Sequence, residues 1–526
     1  MYRKYIVVLL CALILSGCVE DVATIPAPPP IMMEYTDSAD DPSPTRTGLL
    51  TLSMRMPETF NPLLNEDVTV GRILGLIFEN LVVFDETQRP VPNLAESIIF
   101  APDGLSALIT LRQDIVWGDG TALTAADLAF SLDVIADAND YTLFRDAHTN
   151  IVSHEIIDTH TLRIQYARAD SAHLSRLAFP IIPRHHYAQR LSAGVEMMPM
   201  GNGKYRLDAY TLMREAVLHA NPHFFRGAPY IQEIRVLVIP DNETAHHAFS
   251  EGVISALNST VTEWSRYRGA RDVSIFEYVS HYYEFIGFNL QKPAFQDIRV
   301  RQAVAHSVDM AAILSNVYLN SADRATTPIH PKSWLFDQDT IVYDFNPDEA
   351  ARLLDEAAFW QAQDEPFSLL VNAENTQRIA IADMLAEELS RIGMVVHVDR
   401  QPFEVYEEML ATQNFDFFIG GFNMRPVPDL VFAFHSDSTP SSGGQNVFGY
   451  RSFVMDALLT QASYAVSETA HRNVLNEAQR LLAEDLPVIS LVFRRNALLM
   501  DRRIHGEARL AENDPFAHIH TWFITE

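Results

Sequence analysis

The sequence predicts a mixed α/β fold of several domains, and three observations lead to that prediction. The chain has 526 residues, which is too long for one hydrophobic core, since single cores stop growing at about 250–300 residues. Residues 90–135 have the pattern of two strands followed by a capped helix, and residues 346–419 alternate helical and strand patterns. Such alternation is typical of a parallel or mixed sheet that helices cover on both faces.

The N-terminus has the pattern of an export signal. Arg3 and Lys4 precede an apolar run over residues 6–15, which is too short to span a bilayer as a helix. The following Leu-Ser-Gly-Cys, which ends at Cys18, resembles the lipobox of bacterial lipoproteins. That resemblance implies cleavage before Cys18 and acylation of its thiol, and an ordinary signal peptide with an incidental cysteine is the alternative.

The first 47 residues are therefore expected to lie outside the folded body. We expect residues 1–17 to be a lipoprotein signal peptide and residues 18–47 to be the lipidated Cys and a Pro-rich tether. The tether holds six prolines and scattered acids without periodicity, which suits a semi-extended linker. Cys11 would be removed with the signal, so the mature chain would have no disulfide and no Cys-based metal site.

The pattern over residues 90–135 starts with a hairpin. Pro102-Asp103-Gly104 has the composition of a turn, and the residues over 105–111 then alternate between apolar and polar, as in a strand with one buried face. Thr124 and Asp127 form a capping box in front of an apolar helical stripe. The predicted order is strand, turn, strand, turn and helix.

Similar signals continue through the second half of the chain. Asp297 and Asn346 are predicted to cap two helices, and an apolar stripe over residues 382–392 predicts a third. Strands are predicted over residues 394–398 and 415–419. These elements make up the predicted α/β alternation.

The charge balance disfavours one class of partner. The formal net charge is −29, and it becomes −31 if Arg3 and Lys4 leave with the signal peptide. Such a surface repels polyphosphate, and there is no basic run with interleaved aromatic residues, so we expect no nucleic-acid binding.

The usual enzyme motifs are absent from the sequence. We find no P-loop, no G-x-S-x-G elbow, no complete dinucleotide loop and no zincin helix. The doublets His185-His186 and His246-His247 do not make chelates, because adjacent side chains point in different directions. We interpret them as surface or loop histidines and expect no catalytic residues, no metal site and no cofactor.

Many residues of the 90–135 segment match one family signature. The chain resembles the family 5 extracellular solute-binding proteins, which are the peptide, nickel and oligopeptide receptors of bacterial ABC importers. The matching residues are Pro92, Leu94, Ala95, Glu96, Ser97, Asp103, Gly104, Leu111, Arg112, Trp117, Asp119, Gly120, Thr124, Ala125, Asp127, Phe130 and Ser131. Weaker matches extend over residues 59–62, 77–81, 200–205 and 297–309, where Lys204 replaces the usual proline.

The resemblance implies an architecture. It is the type II periplasmic-binding-protein fold, with two hinged α/β lobes plus an extra α+β domain. The expected segments are lobe I at 48–65, the extra domain at 66–178, lobe I again at 179–279, lobe II at 280–487 and lobe I at 488–526.

Ligand-binding residues are expected where the two lobes face each other. Tyr282 and Tyr283 lead to Asn289 in the strand near the hinge, and their rings would stack on a ligand, although such residues in a strand are also typical of a core. Gln445 and Asn446 lie in a loop that faces the cleft in relatives and would bond a peptide-like backbone.

A second segment carries the sharper expectation. In peptide-binding relatives an acid near a tryptophan pairs with the peptide α-ammonium, and here Arg425 stands at that acid and Phe422 at the tryptophan, with Asn423 between them. Arginine favours a carboxylate or phosphate. Asp429 would then take the amine if the loop packs differently, and the alternative for Arg425 is a solvated loop charge.

The sequence thus predicts an extracytoplasmic substrate-binding lipoprotein of an ABC importer. It would be a monomer held to the membrane by lipid on Cys18, in the periplasm or on the outer face of the cytoplasmic membrane. It would capture a peptide or peptide-like solute and deliver it unaltered to the permease and ATPase subunits. The alternatives are a surface peptide-sensing receptor without transport, or a binder of a metal chelate, an opine-like acid or a glycan.

Overall fold

The structure of the protein is a computed structural model. It describes residues 24–26, 44, 46, 48–138, 141–191, 198–359, 366–507, 510, 512 and 514–525. The expected signal peptide and Cys18 lie outside the described residues, as does nearly all of the expected tether.

Twenty strands occur in this part of the chain. They are β1 Thr24–Pro26, β2 Leu49–Met54, β3 Val82–Phe84, β4 Pro90–Pro92, β5 Ala95–Phe100, β6 Ser106–Leu111, β7 Ile151–Ile156, β8 Thr161–Tyr166, β9 Tyr205–Thr211, β10 Glu215–Ala220, β11 Glu233–Val238, β12 Ala256–Ser259, β13 Val273–Phe288, β14 Ala322–Arg324, β15 Phe367–Asn372, β16 Val396–Gln401, β17 Phe417–Asn423, β18 Val488–Asp501, β19 Ile504–His505 and β20 Phe523–Ile524.

Fifteen α-helices connect the strands within the described residues. They are α1 Val68–Ile77, α2 Ala125–Ala138, α3 His173–Arg176, α4 Arg184–Leu191, α5 Asn242–Ser250, α6 Val261–Trp264, α7 Pro293–Gln296, α8 Ile298–His306, α9 Met310–Ala312, α10 Pro347–Glu356, α11 Thr376–Arg391, α12 Phe403–Ala411, α13 Val431–Phe434, α14 Phe453–Ser463 and α15 Glu468–Asp485.

The strands form three main sheets. The five-stranded sheet has the order β1-β5-β6-β8-β7, and the four-stranded sheet has the order β2-β11-β10-β9. The seven-stranded sheet has the order β12-β18-β13-β17-β15-β16, with β14 paired to β18. In it β15 is parallel to β16 and to β17, whereas β13 is antiparallel to both of its neighbours. The predicted mixed α/β alternation is therefore confirmed.

The local signals in the sequence act as expected. Gly104 has φ +68° between β5 and β6, which is the left-handed region that glycine tolerates. The carboxylate of Asp127 accepts hydrogen bonds from the backbone N–H and the hydroxyl of Thr124, at 2.9 and 3.0 Å, at the start of α2. Asp297 and Asn346 cap α8 and α10 through their side chains.

Both faces of the seven-stranded sheet are packed against apolar side chains. Successive residues of β17 alternate between two cores, since Phe417 and Ile419 belong to one and Phe418 belongs to the other. The longest strands of the sheet, β13 and β18, pair along most of their length, with irregular register after Val279 and after Glu284. A further core joins α1 and α2 to the two smaller main sheets.

None of the helices in the described residues combines the length and the apolar character that crossing a bilayer would need.

Candidate functional site

A cavity of about 2100 Å³ lies between the seven-stranded sheet and the part of the molecule that carries the two smaller main sheets. Residues Glu277, Tyr278, Val279 and His281 of β13 line it where that strand has not yet begun to pair with β17. One side of the cavity comes from α1, from loops that flank the two smaller main sheets and from the C-terminal segment after β19. The other side comes from the chain after β17 and from α14 and α15.

The first side is strongly charged, and we call it the charged wall. Its defining residues are Arg72, Glu79, Lys204, Arg226, Glu512 and Asp514.

Lys204 is the central cation of the charged wall. Its side chain is only 2% exposed, and its Nζ donates to Glu79 Oε1 at 2.7 Å and to the Gly75 carbonyl at 3.3 Å. Asn93 Nδ2 donates to the other carboxylate oxygen of Glu79 at 3.0 Å. Burial would raise the pKa of Glu79, but the ammonium of Lys204 lowers it below its usual range. The pair is therefore ionised and fully desolvated.

Two acids of the charged wall have weaker counter-charges. Asp514 Oδ2 lies 3.8 Å from Lys204 Nζ, and the side chain is 39% exposed to the cavity that it lines. Glu512 accepts hydrogen bonds from the Asn496 amide at 2.9 and 3.3 Å. Burial raises the pKa of both carboxyl groups above their usual range, although Lys204 opposes this at Asp514 and Arg72 opposes it at Glu512.

The second side is mostly apolar, and we call it the apolar wall. Its defining residues are Met424, Val427, Leu430, Leu459, Ala462 and Leu475.

His471 is a polar residue set into the apolar wall. It lies on α15, lines the cavity and is 5% exposed. Its ring meets the Trp334 ring edge-on at 6.4 Å, and among the described residues no hydrogen-bond partner reaches its ring nitrogens. Burial lowers the pKa of His471 to about 4, so the imidazole is neutral at pH 7.

The two sides of the cavity touch at several points on its rim. Arg425, just after β17, forms an ion pair with Asp146 on the opposite side. Arg89 Nε donates to Glu468 Oε1 at 3.1 Å, and the backbone N–H of Ser171 donates to the Ser463 carbonyl at 3.0 Å. The contacts are polar and at least partly exposed.

Three of the predicted binding residues line the cavity. Asn423 lines it from the end of β17, and Arg425 and Asp429 line it from the segment that follows. Arg425 has a protein partner in Asp146, and the Asp429 carboxylate accepts from the Val431 backbone N–H at 3.0 Å.

Three of the other predicted residues lie in β13 or directly after it and not on the cavity surface. Tyr283 is fully buried and its hydroxyl is 2.7 Å from Ser490 Oγ. Tyr282 stacks under Arg494 at 4.4 Å and accepts from Arg378 at 3.0 Å. The buried Asn289 amide donates to backbone carbonyls of residues 413 and 415, each at 3.0 Å.

The remaining three predicted residues do not line the cavity either. Phe422 packs its ring against Phe285, with centroids 4.8 Å apart. The Asn446 amide is buried and donates to the Tyr450 carbonyl at 2.8 Å. Gln445 is exposed, and its backbone N–H donates to the Phe432 carbonyl.

The sequence prediction did not include the charged wall or His471. Lys204 could have been noticed in the sequence, because it replaces the proline of the family signature in a segment that otherwise matches that signature. Glu512, Asp514 and His471 gave no such signal, since each is a single polar residue in a stretch without a motif.

Comparisons with known proteins agree with this architecture. Residues 89–444 match the family model described as bacterial extracellular solute-binding proteins, family 5 Middle. The chain is 24% identical to the oligopeptide-binding protein AppA of Bacillus subtilis over 501 residues, which cover 90% of this chain and 91% of that one.

Solved structures show a similar fold. The ABC transporter substrate binding protein CtaP from Listeria monocytogenes superposes with a TM-score of 0.77 at 21% identity, covering 92% of this chain and all of that one. NikZ from Campylobacter jejuni, in complex with Ni(L-His), gives 0.68 at 23% identity, covering 91% of this chain and all of that one. The type II periplasmic-binding-protein fold expected from the sequence is confirmed.

Proposed function

Because the chain belongs to the bacterial extracellular solute-binding proteins of family 5, as its sequence motifs predicted, we propose that it captures a peptide in the cavity between its two walls and delivers it to an ABC importer. The family is a solute-binding component of transport that acts outside the cytoplasm. The peptide as solute is supported by AppA of Bacillus subtilis, which is named as an oligopeptide-binding protein.

The size of the cavity is the observation that carries the proposal. Pockets for small molecules have volumes of about 300–1,000 Å³, whereas this cavity has about 2100 Å³. A metal chelate or an opine-like acid would leave most of that space to water. An oligopeptide fills it, and its backbone and side chains provide groups for both the charged and the apolar wall.

A ligand that contacts both walls also supplies the energy for closure. Such a ligand binds the closed state more tightly than the open state, and only this difference shifts the population between them. The strand β13 lines the cavity with its first half, and β18 pairs with it along most of its length. They are the natural hinge elements, because one wall is attached at each end of them.

The proposal also includes how the protein is held and organised. We propose a lipid anchor on Cys18, a monomeric state and the seven-segment division with borders after residues 17, 47, 65, 178, 279 and 487. Metabolic labelling with a radioactive fatty acid tests the anchor, with Cys18→Ser as the unlabelled control. Loss of label in that variant is the expected result.

The peptide proposal is tested by a binding screen on the purified protein. Peptide mixtures of two to ten residues, metal chelates and glycans are compared by thermal shift and calorimetry. A peptide at 100 times its Kd is expected to stabilise the protein by about 2.7 kcal/mol. A chelate or glycan that binds while every peptide length fails would refute the proposal.

A matched pair of variants shows whether the cavity is the site. Thr460 is exposed and lines the cavity from α14, whereas Gln461, the next residue, is also exposed but lies outside it. Thr460→Trp is expected to weaken peptide binding by steric blocking, and Gln461→Trp is expected to leave it unchanged. Equal affinities for the two variants would place the site elsewhere.

A further inference from the structure

A second cavity of about 450 Å³ lies at the carboxyl ends of two parallel strands, and we call it the small cavity. The strands β2 and β11 are parallel, with Met54 beside Val238 at their ends. The helices α1 and α5 begin at the same place, since Val68 and Asn242 also line the small cavity. Crevices outside the carboxyl ends of parallel strands are a common place for ligands, and this volume is within the range of small-molecule sites.

The lining of the small cavity comes from both parts of the molecule. Arg72 of α1 belongs to the part that carries the two smaller main sheets, whereas Asn258 of β12 and Asn496 of β18 belong to the seven-stranded sheet. Arg72 also lines the large cavity, so the two cavities are neighbours. A molecule in the small cavity can therefore contact both parts.

Arg72 is a cation of the small cavity that has no protein partner. Its Nε is buried without a hydrogen-bond partner, and among the described residues no carboxylate lies within ion-pair distance of its guanidinium. The rest of the side chain is partly exposed. The other cation of the lining, Arg55, is exposed after the end of β2. A buried donor without an acceptor costs about 1–3 kcal/mol, and a guanidinium binds a carboxylate through two parallel hydrogen bonds. Arg72 is therefore suited to the carboxylate of a ligand.

Asn258 provides a second unpaired donor, from the other part of the molecule. The Tyr278 hydroxyl donates to its Oδ1 at 2.5 Å, whereas its Nδ2 is buried without a hydrogen-bond partner. Asn258 lines the small cavity and not the large one. An acceptor oxygen of a ligand in the small cavity would satisfy this amide.

Four carboxylates also line the small cavity, and three of them already accept hydrogen bonds. The side chains of Asp67 and Asp241 accept from backbone N–H groups at the starts of α1 and α5. Glu263 accepts from the Thr260 hydroxyl at 2.9 Å. Glu66 is exposed, and it has no hydrogen-bond or ion-pair partner in the described part of the chain. These acids repel a simple anion, so they favour a ligand that carries a cationic group beside its carboxylate.

We propose that the small cavity binds a free α-amino acid. The carboxylate of the amino acid pairs with the guanidinium of Arg72 and accepts from the amide of Asn258, and its ammonium group faces the carboxylates of the lining. The inference goes beyond the proposed function and does not depend on a peptide in the large cavity.

The test measures binding of each common amino acid to the purified protein, by ligand-observed NMR and by calorimetry at millimolar concentration. The amino acid that binds most tightly is then compared with its amide, which lacks the carboxylate, and with its N-acetyl derivative, which lacks the ammonium group. Both derivatives are expected to bind about tenfold to hundredfold more weakly, in line with hydrogen bonds to charged groups. Equal binding of either derivative overturns the inference.

Two variants locate the site. Arg72→Gln removes the cation, and Asn258→Asp keeps the acceptor for the Tyr278 hydroxyl but replaces the amide donor by a carboxylate oxygen. Each is expected to weaken binding of the amino acid by about tenfold to hundredfold. Arg214→Gln, at an exposed arginine outside both cavities, should bind like the unmodified protein. Circular dichroism melting confirms that each variant is folded.

The outcomes separate the small cavity from the large one. Thr460→Trp, which blocks the large cavity, should leave binding of the amino acid unchanged, and Asn258→Asp should leave binding of peptides unchanged. If no amino acid binds, the inference is wrong, whatever the peptide screen gives. It is also wrong if Thr460→Trp abolishes binding of the amino acid while Arg72→Gln and Asn258→Asp retain it, because the amino acid would then occupy the large cavity.

Discussion

Two groups of ion pairs in this protein differ in their exposure to water. The buried pairs stabilise the fold, whereas the exposed pairs connect the two sides of the cavity and can separate. In the centre of the seven-stranded sheet, fully buried Glu284 accepts from Arg378 Nε at 3.4 Å and also pairs with Arg494. On the cavity rim, Arg425 and Asp146 have side chains that are 62% and 33% exposed. In the sheet, loss of one partner leaves a desolvated charge without compensation, so it lowers the stability of the fold strongly. On the rim, water solvates the charge that remains, so the same loss changes the stability little.

The largest expected effect is that of Glu284→Gln. The amide would leave the buried guanidinium group of Arg378 and the partly buried one of Arg494 without a counter-charge, so the free energy of unfolding should fall by about 3–5 kcal/mol. Chemical denaturation measures it. Glu277→Gln is the matched control on the same strand, where the carboxylate pairs with Arg495 at 3.4 Å in a partly exposed position. It should cost less than about 1 kcal/mol, and equal losses in the two variants would contradict the comparison.

The second effect concerns the buried pair of the charged wall. Lys204→Met should lower the free energy of unfolding by about 2–4 kcal/mol, because it leaves the Glu79 carboxylate buried with the Asn93 amide as its remaining side-chain partner. Adding Glu79→Gln removes that charge and should recover part of the loss. A double variant that is less stable than Lys204→Met would show that the pair is not coupled as its 2.7 Å distance indicates.

The third effect is a pH dependence from His471. Its pKa is about 4 in the folded protein and about 6.5 in an unfolded chain, so the unfolded state binds more protons between these values. Stability is therefore lost as the pH falls from 6.5 towards 4, by about 2 kcal/mol at pH 5 from this residue alone. His471→Gln should flatten the dependence of Tm on pH over that interval, and His247→Gln, on the exposed side of α5, controls for the substitution. If Tm depends on pH in the same way in all three proteins, folding does not lower the pKa of His471.

The sequence predicted the elements whose signals are local. The turn at residues 102–104, the capping pair Thr124 and Asp127, and the cap at Asp297 depend on neighbours within a few residues, and all of them form as predicted. The family signature then supplied the fold, which no local signal defines.

The site was harder to predict, because its residues are placed by contacts that are distant along the chain. Asn289 matched a family position, but its amide is used by the backbone of residues 413 and 415, more than 120 positions away. The side chains of Glu79, Lys204 and Asp514 meet from three separate segments. Arg425 lines the cavity as proposed from sequence, yet nothing near it in the chain indicated Asp146 as its partner.

The smallest expected effect on stability, and the clearest on motion, is at the rim. Arg425→Gln should change the free energy of unfolding by less than about 1 kcal/mol, because both partners are solvated, and the difference should vanish at high salt. The same small energy acts wholly on the balance between open and closed states, so it shifts their ratio by up to about fivefold. Single-molecule energy transfer between dyes on the two walls measures that ratio without ligand.

A charge reversal completes the test of the rim. Arg425→Asp alone places two acids beside each other and should favour the open state further, whereas Arg425→Asp combined with Asp146→Arg restores the attraction with opposite polarity. The double variant should return to the distribution of the unmodified protein. If the double variant stays as open as the single variant, the contact between Arg425 and Asp146 does not hold the two walls together. The exposed rim pair would then have no role in opening that distinguishes it from the buried pairs of the sheet.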